Sequence, residues 1–141
     1  MVSKWFLRVA VLFALAGMGL GIFMAAAADH RLSPVHAHVN LIGWVGMFLA
    51  GLFYRTHPAS EGRAARWHLG TAIVGLTILA PGIAGVHLGL PWGEPLAGIG
   101  SLLTLAAMVL FATIVVRGTA APASEQVDFT APGRTAAART A

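Results

Sequence analysis

The 141 residues contain no cysteine. That excludes disulfides, thiolate metal ligands, iron–sulfur clusters and covalent c-type haem attachment, so a metal would have to be held mainly by histidine. Charge is also scarce: 10% of residues, with nine bases against five acids. Soluble domains carry about 25% charged residues. The net charge of +4 does not indicate a nucleic-acid partner, because the bases sit at the ends of apolar runs and in the tail, not in one patch.

Long apolar runs take the place of charge. With 57% hydrophobic residues, the composition is that of a membrane protein. Four spans are expected, over about 5–28, 34–55, 67–90 and 96–116, each near the ~20 residues that cross a bilayer. Ala25-Ala26-Ala27 has the look of a signal cleavage site. The run before it is long for a signal peptide and is read as a retained helix. Gly17 and Gly21 form a G-x-x-x-G pair that permits close helix contact. Pro81-Gly82 is expected to kink the third span or thin its hydrogen bonding. Residues 119–141 have no apolar period and are expected to form a disordered cytoplasmic tail. The domain is therefore 1–118.

Orientation follows from Lys and Arg. Lys4 and Arg8, then Arg55, Arg63 and Arg66, then Arg117, Arg134 and Arg139 mark three segments as cytoplasmic. The other two loops hold only Arg31, beside Asp29. The expected fold is an all-α integral membrane four-helix bundle, up-down-up-down, with both termini cytoplasmic. The expected location is the cytoplasmic membrane of a bacterium.

The stretch Arg31–Arg55 is the most informative. Ser33 and Pro34 read as a helix cap and first turn. His36, His38 and Asn40 then open a single apolar span, where ionisable side chains by default mark function. At about 100° per residue the two histidines face apart. His36 shares a small, polar face with Asn40, Gly43, Met47, Gly51 and Tyr54, which should point into the bundle. His38 heads a stripe of Leu41, Ile42, Val45, Leu49 and Leu52 suited to lipid, a second subunit or the flank of a planar cofactor. His30, His36, His38 and His87, four of the six histidines, fall toward the outer side. His30 and His57 read as interfacial loop residues. His68, next to Trp67, reads as a membrane-edge anchor, and the methionines as packing.

Neutral imidazole suits haem iron, copper and zinc. A bis-histidine haem b would draw on His36 and His87, or on His38. Gly43, Gly82 and Gly85 would admit the flat ring, Asn40 would orient a ligand or bond a propionate, and Arg31 would pair with a propionate. A copper or zinc site at the same histidines, or a cofactor-free structural or assembly factor, are the other readings.

Arg31-x-x-Pro34-x-His36 resembles the opening of the second helix in catalytic subunits of the haem–copper oxidase and nitric oxide reductase superfamily. The continuation, from His38-x-Asn40-Leu41 to Gly51-x-x-Tyr54, is similar to the nitric oxide reductase branch. The resemblance implies that His36 or His38 is an axial ligand of a low-spin haem b at the outer side. Those subunits have many more spans and a three-histidine metal centre, for which this chain has no candidate set. The implied role is electron transfer or haem–gas chemistry, not oxygen or nitric oxide reduction by one chain. Expected partners are membrane lipid, further copies of the chain, and an electron donor on the outer side or a quinol.

Overall fold

The computed structural model describes residues 1–119. The expected tail therefore lies outside the described residues, apart from Thr119. The chain is all α: α1 (Val2–Ala27), α2 (Ser33–Thr56), α3 (Arg63–His87) and α4 (Gly93–Gly118) are each long and apolar enough to cross a membrane. Short connections join them, one carrying a single 3-10 turn at Pro58–Ser60.

Small residues set how the helices pair. On α1 and α2, Gly17 faces Asn40, Gly21 faces His36, Phe13 faces Gly43 and Leu7 faces Gly51. Positions fall along α2 as they rise along α1, the order of an antiparallel pair. On α3 and α4, Gly75 meets Thr104, Gly100 meets Leu79, and Gly82 meets the backbone of Ala97. The second hairpin is the tighter one, because glycine lets main chain approach main chain. Gly43 against Leu76 and Tyr54 against His68 join the hairpins.

The buried cluster gathers at the end carrying Arg55, Arg63 and Arg66. Phe6 and Ala10 of α1 pack there with Met47, Ala50 and Tyr54 of α2, Ala65 and Ala72 of α3, and Ala107 and Ile114 of α4. Large apolar residues such as Leu12, Ile22, Leu102 and Val116 are exposed on the outside of the bundle. In a bilayer those surfaces meet lipid.

Three features depart from the sequence expectation, and one, at Pro81, accords with it. Ser33 does not cap α2; its hydroxyl donates to the His30 carbonyl at 2.7 Å, although Pro34 does stand in the first turn. α3 runs on through Pro81 to His87, with its hydrogen bonding thinned there. Pro81 lacks an N–H, so only the carbonyl four residues earlier loses a donor. That helix ends sooner than the apolar run because Gly89 takes a φ of 71°, a left-handed conformation that glycine adopts freely. Finally, Val39–Gly46 within α2 forms a π-helix, with i→i+5 bonding. Val35 and Val39 are buried at that end, while His36 and Asn40 lie half-buried beside them.

Candidate functional site

His36 is held by α1. Its Nδ1 lies 2.9 Å from the Gly17 carbonyl, which can only accept, so Nδ1 carries the proton and Nε2 keeps its lone pair. A Cβ on Gly21 would come within 2.9 Å of the imidazole, and one on Gly17 would strike the Asn40 amide. The glycine pair is a notch that receives both side chains. Asn40 donates its side-chain amide to the His36 carbonyl at 2.8 Å, where the helix changes pitch.

His38 bonds to its own helix. Its Nδ1 lies 2.7 Å from the Pro34 carbonyl, so it also donates from Nδ1 and leaves Nε2 free. Below it Leu41, Val45, Leu49 and Leu52 are exposed and Ile42 is half-buried, so most of the stripe expected to face lipid or another subunit has no cover among the described residues. Both histidines therefore present the Nε2 lone pair, on different sides of the helix.

The remaining expected site residues lie apart from these two. His87 is exposed at the end of α3. Arg31 is engaged by Asp29, with Nη2 at 2.6 Å from one carboxylate oxygen and Nε at 3.1 Å from the other. Asp29 also accepts the Arg31 backbone amide at 3.0 Å. The Arg31 side chain, and next its amide, hold the Asp29 carboxyl down at about 2. Asp29 in turn raises the Arg31 guanidinium. The small positions offered to a flat ring are filled from within: Gly43 by Phe13 and Leu76, Gly82 by Ala97, and Gly85 by Trp92 and Gly93. Among the described residues no three of His, Asp and Glu gather closely enough to hold a metal ion.

A second polar site lies toward the other end, where sequence reasoning saw only an anchor. His68 is 5% exposed, and its Nδ1 lies 3.0 Å from the hydroxyl of Tyr54, the chain's single tyrosine. The imidazole stacks on Phe111 with ring centres 4.9 Å apart, and Phe6 lies tilted against it at 4.8 Å. A signal was present: His68 shares a helical face with Ala72, Gly75, Leu79 and Gly82, all buried. The neighbouring Trp67 drew it to the membrane edge instead.

No protein-family model, no curated protein and no solved structure matches the chain.

Proposed function

We propose that this multi-pass membrane protein holds haem b at its histidine end and serves electron transfer or haem–gas chemistry. The observation that carries the reading is the matched state of His36 and His38. Each has Nδ1 committed to a backbone carbonyl, and that outer hydrogen bond is what fixes an imidazole to ligate through Nε2.

The two histidines differ in fit. His36 is packed into the Gly17–Gly21 notch, and the interior beyond it is filled at Gly43. The interior of one chain does not fit a macrocycle there. His38 heads an open apolar stripe and fits one side of it. A second copy of the chain would supply the other wall, so the reading entails a homo-oligomer with His38 at the subunit interface. Arg31 would reach a propionate only by leaving Asp29. When bound, haem supplies reversible one-electron chemistry; the protein residues hold the ligand tautomer and keep the flank apolar. The Lys and Arg distribution favours both termini in the cytoplasm and the histidine end outside.

The test is a reduced-minus-oxidised absorption spectrum of the purified protein, with His38→Ala and His36→Ala alongside. Sharp b-type bands that vanish or convert in His38→Ala are the expected result. A protein that takes up no haem, or a spectrum unchanged in both variants, overturns the proposal. Bound copper or zinc without a Soret band would transfer the same histidines to a metal-ion site.

A further inference from the structure

The cavity beside His68 has a chemistry of its own, although Leu41 at its rim also belongs to the His38 stripe. It lies between α2, α3 and α4 with a volume of about 290 Å³. Leu41, Met47, Met108 and Phe111 give it apolar walls, and the two polar side chains that reach it are His68 and Thr104.

The polarity of each can be worked out from its partners. Tyr54 is fully buried, and His68 Nδ1 is its hydroxyl's one hydrogen-bond partner among the described residues. A buried hydroxyl proton goes to an available acceptor, so it lies on Nδ1 and the His68 proton is on Nε2. That N–H has no protein partner among the described residues, yet no fully buried side-chain polar atom there is unsatisfied. Nε2–H therefore opens into the cavity that His68 lines. Thr104 spends its proton on the Gly100 carbonyl at 2.8 Å and turns only lone pairs to the space. An N–H facing hydrocarbon without an acceptor is costly.

We propose that this cavity is a binding site for a small, neutral, lipid-soluble ring ketone, whose carbonyl accepts the Nε2–H of His68. Size limits the ligand: a dry cavity of about 150 Å³ accepts benzene, so this one admits one substituted ring or two fused rings. Access limits it as well. Leu105 and Met108 at the rim are exposed on the apolar outside of the bundle, so the route in is through lipid, which favours an uncharged molecule. The stacking of His68 on Phe111 and its bond to Tyr54 fix the imidazole before any ligand arrives, which keeps the ordering cost low.

The experiment uses the full chain in detergent, labelled with ¹⁵N-histidine, and titrates 1-tetralone against tetralin, which has the same fused rings and no oxygen. Nitrogen shifts should report an Nε2–H tautomer at His68. Tetralone should shift Nε2, and tetralin should not. Met108→Trp, a change at the lipid-facing rim that leaves the core alone, should abolish the tetralone shift. By equilibrium dialysis, His68→Phe should weaken tetralone binding about tenfold, the worth of one such hydrogen bond, and leave tetralin binding unchanged. An Nδ1–H tautomer, equal response to the two compounds, no response to either, or a shift that survives Met108→Trp overturns the proposal. The wild-type titration decides the matter even if His68→Phe fails to fold. The donor of the site, His68, sits by Tyr54 toward the far end of α2 from His38, so a haem-free protein leaves the proposal standing.

Discussion

Replacing Tyr54 by Phe removes one oxygen and little else. The ring keeps its contacts with Phe6 at 5.3 Å and Phe53 at 5.6 Å, so the change isolates the hydrogen bond to His68. Its loss leaves a buried ring nitrogen without a partner, at a cost of about 1–3 kcal/mol. His68→Phe is the mirror case: the stack on Phe111 survives while the Tyr54 hydroxyl is stranded, with a cost in the same range. The double variant strands nothing, so its destabilisation should fall short of the sum of the two. Coupling energies between polar side chains in membrane bundles average about 0.6 kcal/mol and reach about 1.7. Full burial of Tyr54 and near-full burial of His68 place this pair toward the upper figure. Unfolding in mixed micelles, followed by tryptophan fluorescence, measures all four corners of the cycle. Strict additivity would refute the reasoning, since it would mean that the hydroxyl and the imidazole do not depend on each other.

Glu61 accepts the backbone amides of Val2 at 3.1 Å and Ser3 at 3.0 Å, and its side chain is 13% exposed. It caps α1 from the loop before α3, and the Ser3 side chain first, then those two amides, hold its carboxyl below the ordinary range. Glu61→Ala should cost about 0.5–2 kcal/mol and speed hydrogen exchange at those two amides. The Asp29 carboxyl should titrate at about 2 by carbon NMR and return to the ordinary carboxylate range in Arg31→Ala. A depressed acid stabilises above its unfolded value, so this loop should be fully ordered above about pH 4 and loosen as pH falls through about 2. With no native cysteine to interfere, Ser33→Cys should react with an impermeant thiol reagent from outside cells and Ala59→Cys should not, both positions being exposed.

The four spans were legible because each is a long apolar run, a signal that composition alone carries. Their ends were less so. α3 begins at Arg63, ahead of the expected 67, and α4 at Gly93, ahead of 96, because a helix continues through polar residues that hydropathy discounts. The Gly17–Gly21 pair could be read as a contact site but not as the notch for His36 and Asn40, since one sequence does not say which helix lies opposite. His68 was passed over for a related reason. Its burial depends on Phe6 and Phe111 arriving from α1 and α4, and neither is local in the chain.

The π-helix in α2 explains where the reading of the central helix held and where it slipped. Four residues advance an α-helix by about 400°, so each such step drifts about 40° around the axis. Counted that way, Val39 falls to the edge of the face that holds Met47, Gly51 and Tyr54, and Val35 beyond it. The structure buries all five. An i→i+5 turn is wider, so four residues there fall short of a full turn and offset the α-helical overshoot, and Val35, Val39, Gly43 and Met47 share one side. The inward face therefore follows the expected positions at the Tyr54 end and is displaced by one residue at the histidine end. That slip takes His36 and Asn40 off the centre of the bundle and sets them against Gly17 and Gly21 of α1. A straight α-helix with the same sequence would carry His36 toward the space that Val35 and Val39 now fill, and Nδ1 would lose the Gly17 carbonyl that fixes its tautomer. The change of pitch begins immediately after His38. It is therefore the element that allows one helix to hold His36 against α1 while keeping Tyr54 in line with His68.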